Sequence, residues 1–321
     1  MDTPTDIRLS IVIPLYNSAE ILPHLLDRLE ATLPHIAREY EIILVNDGSP
    51  DDTWARVQRE ITTRPHLVAL NLMRNYGQHN ALLAGIRLAR YPLCVTMDDD
   101  LQNPPEEIPR LLAALTPEVD AVYGAPLREQ HNMARSLASR VTKSVLSRSM
   151  SVAIAEQVSA FRLFRTDLRK AFDVYRGPFV NIDVLLTWST TRFAAVKVMH
   201  DRRAAGISNY TFGKLITHAV NMVTGFSVLP LQVTSLLGIV MAGFGGLVLM
   251  YVLGRYLVQG SPVQGFPFLA SIIAIFSGAQ LLSLGIIGEY LGRMYFRVMG
   301  QPPYVVHAQL NSEVSCDSTT V

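Results

Sequence analysis

Two long stretches without a charged side chain limit what this chain can fold into. No Asp, Glu, Lys or Arg occurs from Leu215 to Gly254, and none from Tyr256 to Gly288. Each stretch exceeds the roughly 20 apolar residues needed to cross a bilayer. The expected membrane helices are 229–253 and 266–287, preceded by an interfacial helix over 214–228. The short link Gln259 to Pro267 carries Gly and Pro, so the two helices form a hairpin. Arg202, Arg203 and Lys214 precede the hairpin, Arg293 and Arg297 follow it, and only Arg255 lies near the link. By the positive-inside rule both chain ends are cytoplasmic, in an integral membrane protein. Gly238, Ala242 and Gly246 recur every fourth residue, a small-residue face for packing within the hairpin or between protomers.

The remaining sequence is ordinary in charge. A net charge of +1 gives no global electrostatic case for nucleic acid. The mean hydropathy of +0.24 is high for a wholly soluble protein, and the charge-free stretches account for it. The first eight residues hold no apolar signal-peptide core. Cys94 and Cys316 make no disulfide framework, which suits a reducing compartment.

Residues 1–213 read as an α/β domain. Apolar strands are expected at Leu9–Pro14, Glu41–Val45, Leu67–Leu72, Tyr91–Thr96, Asp120–Gly124 and Val196–Met199. The first four each end in a polar turn. Helices follow the first three of these turns, with Ser18 placed to cap the first and Ile21, Leu22, Leu25, Leu26 and Leu29 on its apolar face. Strand, polar turn, helix, repeated, is the mark of a mostly parallel sheet, with the four turns along one edge. Open sheets of this kind bind ligands at that edge. No GxGxxG follows the first strand and no GxxxxGK[ST] occurs, so neither usual nucleotide fingerprint applies.

The chemistry concentrates after the fourth strand, in Asp98-Asp99-Asp100-Leu101-Gln102-Asn103-Pro104-Pro105. Three adjacent carboxylates repel one another unless a cation neutralises them. Successive side chains along a strand alternate faces, so Asp98 and Asp100 point one way and Asp99 the other. With the neutral oxygen of Gln102 this is a hard, oxygen-only set for Mg²⁺ or Mn²⁺. A solvated acidic turn is the plain alternative.

Further on, Met133 to Met150 has a basic amphipathic pattern suited to a membrane surface or to an ordinary solvated face. Ser159 and Arg162 have the chemistry to bind a phosphate, as does the turn with Arg202, Arg203, Ser208, Asn209 and Tyr210. The tail 289–321 loses periodicity after Pro303 and is expected to be unstructured from Asn311.

Ser10-Ile-Val-Ile-Pro-Leu-Tyr-Asn17, Asn46-Asp-Gly-Ser49 and the acidic Asp98–Pro105 run together resemble family 2 glycosyltransferases of the GT-A fold. Arg74-Asn-Tyr-Gly-Gln-His79, Arg203-Ala-Ala-Gly-Ile-Ser-Asn-Tyr210 and Ile287-Gly-Glu-Tyr-Leu-Gly-Arg293 resemble the polyprenyl-phosphate branch, and the likeness covers nearly the whole chain. That resemblance implies an inverting transfer from a nucleotide-sugar, with UDP-glucose the first expectation, to a polyprenyl phosphate. It implies a donor site of Pro14, Tyr16, Asn17, Glu20, Asp47, Gly48, Gln78 and Asp99, and a metal on Asp98, Asp100 and Gln102. Ser159, Arg162, Arg203, Ser208 and Tyr210 would hold the acceptor phosphate, with Asp98, Asp100 and Glu156 as catalytic residues. Related bacterial enzymes suggest a homo-tetramer. Three positions depart from the family pattern: Ser18 where Glu is frequent, Asp99 where Ala is frequent, and Glu156 where Asp is frequent. Two rival readings are a processive polysaccharide synthase and a membrane scaffold without catalysis. The first is opposed by the lack of a QxxRW motif, since neither Trp54 nor Trp188 follows an Arg. The second is opposed by the intact acidic triad.

Overall fold

A computed structural model describes residues 6–127, 157–177, 180–201, 229–259 and 266–311. The expected basic helix over 133–150 and interfacial helix over 214–228 lie outside these residues.

The described residues form an eight-stranded sheet: β1 (Arg8–Leu15), β2 (Glu39–Asn46), β3 (Leu67–Leu72), β4 (Leu93–Thr96), β5 (Ala121–Pro126), β6 (Arg162–Arg165), β7 (Phe193–Val198) and β8 (Val306–Asn311). Their spatial order is β7-β5-β6-β4-β1-β2-β3-β8. β1 pairs in parallel with β2 and β4, and β2 with β3. This is the expected GT-A-like core, with a crossover helix after each of the first three strands. The helices α1 (Leu22–Thr32), α2 (Thr53–Ile61), α3 (Gln78–Leu88), α4 (Ile108–Ala114) and α5 (Ile182–Ser189) cover both faces. Strand alternation divides the core between them. Ile11, Ile13, Ile42 and Leu44 pack with Leu22, Leu25, Leu26 and Val57 of α1 and α2. Val12, Ile43 and Val45 pack with Leu82, Leu83 and Ile86 of α3 and with Leu185 of α5. A side chain at Gly85 would collide with Val12, so α3 lies directly on the sheet.

Two strands run against the rest. β6 is antiparallel to β4 and β5. β8 is antiparallel to β3 and forms in the stretch after Pro303 where the sequence shows no periodicity: Val68 faces Asn311 and Leu70 faces Gln309. Its apolar alternation is weak in isolation, and the ladder offered by β3 supplies the order. Tyr304, just before β8, is also held, because Arg87 donates to its hydroxyl at 3.2 Å and lies over its ring.

The two apolar stretches form α6 (Leu229–Gln259) and α7 (Phe266–Val298). Both are long and apolar enough to cross a membrane, over Leu231–Arg255 and Ile275–Gly292. Leu247 and Met250 are among the large apolar side chains that α6 leaves exposed. α7 continues beyond the expected end of its span, well into the stretch expected to be tail.

Candidate active site

The polar turns after β1, β2, β3 and β4 converge on one pocket of about 250 Å³, lined by Pro14, Leu15, Tyr16, Asp47, Asn75, Gly77, Gln78, Asp98, Asp99 and Asp100. Of the expected donor residues, Pro14, Tyr16, Asp47, Gln78 and Asp99 are brought together here. Asn17 and Gly48 shape the turns instead of lining the pocket. Asn17 adopts φ +57° and its amide donates to Ser49 Oγ at 3.2 Å. Gly48 adopts φ +61°, and a Cβ there would stand 2.6 Å from the Asn75 backbone nitrogen. Only glycine lets the turns after β2 and β3 approach so closely. Glu20 is exposed and outside the pocket.

Asp47 organises one wall. Its two carboxylate oxygens accept the amides of Tyr76 at 2.7 Å and Gly77 at 2.8 Å. Burial pushes its pKa up and the two amides pull it down, and burial prevails. Gly77 precedes α3 with φ +95°, which turns the chain so that Gln78 opens the helix. The Gln78 amide then donates to Asp98 Oδ1 at 2.5 Å.

The acidic triad does not sit on a strand. β4 ends at Thr96, and the three carboxylates occupy the turn beyond it. Strand alternation therefore does not sort them, and all three line the pocket. The turn closes through Leu101, buried with φ +58°, while Asp100 Oδ1 accepts the Gln102 amide at 3.2 Å. Asp99 accepts a hydrogen bond from the Ser18 hydroxyl. Burial raises the pKa of Asp99, Ser18 lowers it and neighbouring Asp100 raises it, and the net direction is upward. Ser18 does not cap α1 as expected. Its hydroxyl is occupied by Asp99 and by the Tyr16 amide at 3.0 Å, and Pro23 in the first turn has no N–H to cap. Gln102, expected as a metal ligand, is not among the residues lining the pocket. Its carbonyl accepts the Asp201 amide at 2.9 Å.

The acceptor residues are placed differently. Glu156, Arg203, Ser208 and Tyr210 lie outside the described residues. Ser159 donates to the carbonyl of Gly124 at 2.7 Å or Phe161 at 3.0 Å. Arg162 is 2% exposed, ion-paired with Asp183 of α5, which also accepts from the Tyr123 hydroxyl at 3.1 Å. A buried guanidinium needs such a carboxylate. In this structure Arg162 clamps α5 beneath β5 and β6 and presents no free phosphate-binding fork at the surface. Leu15, Asn75 and Gly77 line the pocket without having been singled out. The signal for Asn75 and Gly77 was their position in the turn that closes β3.

Residues 10–172 match the family model described as glycosyl transferase family 2. The undecaprenyl-phosphate 4-deoxy-4-formamido-L-arabinose transferase of Pectobacterium carotovorum is 35% identical over 94% of both chains. The enzyme of that name from Sodalis glossinidius is 36% identical over 95% of both, and the one from Shewanella sediminis is 36% identical over 95% of this chain and 93% of its own. Among solved structures, glucosyl-3-phosphoglycerate synthase from Mycobacterium tuberculosis, in complex with Mn²⁺, UDP-glucose and phosphoglyceric acid, superposes with a TM-score of 0.51. It is 16% identical over 68% of this chain and 77% of its own, a likeness of fold. On the family match and on relatives aligned over more than nine-tenths of both chains, the chain belongs to glycosyl transferase family 2.

Proposed function

We propose that this protein transfers a single sugar, with inversion, from a UDP-sugar to a polyprenyl phosphate. The observation that carries the reading is the pocket where Pro14, Tyr16, Asp47, Gln78 and the three Asp carboxylates meet, in a chain that also holds two helices fit to cross a bilayer. The relatives' names favour undecaprenyl phosphate as acceptor. They also move the choice of sugar from glucose to 4-deoxy-4-formamido-L-arabinose.

The donor set fits a divalent metal. Asp98 and Asp100 offer oxygen ligands only, suited to Mg²⁺ or Mn²⁺. Among the described residues no three His, Cys, Asp or Glu side chains form a complete protein cage. Mg²⁺ is usually bound in that way, by one or two carboxylates together with substrate phosphates. When bound, the ion would neutralise charge on the departing nucleoside diphosphate. The protein's own residues do the rest. Asp47 fixes the wall formed by Tyr76 and Gly77, and Gln78 orients Asp98. A phosphate monoester has its second pKa near about 6, so the acceptor arrives largely as the dianion. Its oxygen forms the bond to the anomeric carbon as the bond to the diphosphate oxygen breaks. No proton need be removed, and no general base is required.

The membrane arrangement we propose is a hairpin of α6 and α7, with the catalytic domain and both chain ends on the cytoplasmic side of the inner membrane. Supporting it, β1 to β7 precede the hairpin and β8 follows it, yet all share one sheet. An even number of crossings satisfies that connectivity.

The test is a panel of UDP- and GDP-sugars, including glucose and 4-deoxy-4-formamido-L-arabinose donors, given to the detergent-purified protein with undecaprenyl phosphate and Mg²⁺ or Mn²⁺. The expected product is a lipid phosphate bearing one sugar, read by mass spectrometry. Products bearing sugar chains, or no lipid-dependent release of nucleoside diphosphate, would overturn the reading.

A further inference from the structure

We infer that Glu107 is a positioning residue that ties the turn of the donor carboxylates to the segment after β7, which leads in sequence to the acceptor candidate Arg203, an inference that rests on the transferase reading above. The segment after the acidic triad and the segment after β7 are bound to each other at successive points. Gln102 O accepts the Asp201 amide at 2.9 Å, and Glu107 Oε2 accepts the Met199 amide at 3.1 Å. Between them the His200 ring nitrogen Nδ1 lies 3.4 Å from Asn103 Oδ1. Arg28 of α1 braces the outside, held by Glu106 at 2.7 Å and reaching Asp201 at 3.9 Å.

Glu107 is the buried member of this strut, 7% exposed, with Arg110 at 3.1 Å as its ion partner. A carboxylate is buried at a cost unless it is paired and hydrogen-bonded, and here its bond to a main-chain amide is charge-assisted. Such a contact holds backbone, where a surface turn needs none. One end of the strut is the turn that carries Asp98, Asp99 and Asp100. The other is Met199–Asp201, from which Arg202 and Arg203 follow directly in sequence. A nucleophile and an anomeric carbon react from about 3–3.5 Å, and a misplacement of about 1 Å can cost on the order of a hundredfold in rate. By tying the two segments together, Glu107 fixes where the chain that leads to Arg203 leaves the turn of the donor carboxylates, without touching either substrate.

Glu107→Ala is expected to raise the KM for undecaprenyl phosphate about tenfold and to lower kcat, while the KM for the donor stays within about twofold. Glu107→Gln keeps an acceptor oxygen for the Met199 amide and is expected to recover most of the loss. Independently of any substrate, amide exchange at Met199 and Asp201 should quicken in Glu107→Ala and not in Glu107→Gln. Should Glu107→Ala fail to fold, Asn103→Ala breaks the neighbouring contact and carries the same expectation. Unchanged exchange at Met199, equal effects on the two substrates, or no recovery by Gln would overturn the inference. An inactive wild-type protein that still shows the exchange difference would instead fault the transferase reading.

Discussion

The carboxylate of Asp47 accepts the amide of Gly77 at 2.8 Å, tying the residue just past β2 to the one that precedes α3. Because the other oxygen takes the Tyr76 amide, one side chain sets the pocket wall between two strands. Asp47→Ala leaves two amides without their partner. Hydrogen bonds to charged groups contribute about 1.5–3 kcal/mol, so donor affinity should fall roughly ten- to a hundredfold. Titrating nucleoside diphosphate with the metal present checks this, and a loss within about twofold would contradict it.

The acidic triad should respond unequally to substitution. Asp100→Ala should remove most turnover, and Asp98→Ala should weaken it severely, with partial recovery in excess Mn²⁺. Asp99→Ala should keep a similar metal requirement, because Asp99 serves Ser18 and its loss relieves repulsion among neighbours. Some donor affinity should be lost, since Ser18 then ties the β1 turn less firmly. Nucleoside diphosphate release measured against Mn²⁺ concentration separates the three. Equal inactivity of folded Asp99→Ala and Asp100→Ala would refute the distinction.

Deleting residues 304–321 should damage the catalytic domain even though both apolar helices remain. The deletion strips β3 of its antiparallel partner and removes the Arg87–Tyr304 contact. Several hydrogen bonds at about 0.5–1.5 kcal/mol each imply a fall of roughly 5–10 °C in Tm. Donor affinity should fall too, since β8 borders the strand whose end leads to Asn75 and Gly77. A thermal melt and a donor titration on the truncated protein decide it.

Asp120 gives the fold an acid-sensitive element. Burial raises its pKa, but Arg192 at 2.6 and 2.9 Å and Thr190 at 2.6 Å lower it more, so the net direction is down. Its folded pKa lies below the unfolded value. The stability it contributes is therefore present above about pH 4 and is lost as pH falls through the folded pKa. Between about pH 6 and pH 3, the wild type should lose more Tm than Arg192→Ala does. Parallel melting curves for the two proteins would contradict the assignment.

The shared sheet has a consequence for topology. Protease added outside intact spheroplasts should cut neither a tag at Met1 nor one at Val321, and both should be cut once the membrane is opened. Cleavage of one tag alone from outside would be incompatible with β8 pairing to β3 in the same molecule.

Local pattern alone was enough to read the first four strands, the crossover helices and the two charge-free helices. Each is encoded by neighbours in sequence: apolar runs closed by polar turns, or lengths that match a bilayer. The same logic placed Tyr16, Asp47, Gln78 and the acidic triad at one edge, because parallel strands put their C-terminal turns together. What local pattern could not decide was which way those side chains serve. Arg162 carries the chemistry of a phosphate ligand, but only the packing of α5 reveals that its charge is spent on Asp183. The triad looked like the continuation of a strand, yet the ladder stops at Thr96 and left-handed Leu101 turns the chain. β8 has too little pattern of its own to announce a strand and exists because β3 offers it an edge. These are long-range partnerships, and their energy comes from contacts between residues far apart in the chain, so only the tertiary structure could decide them.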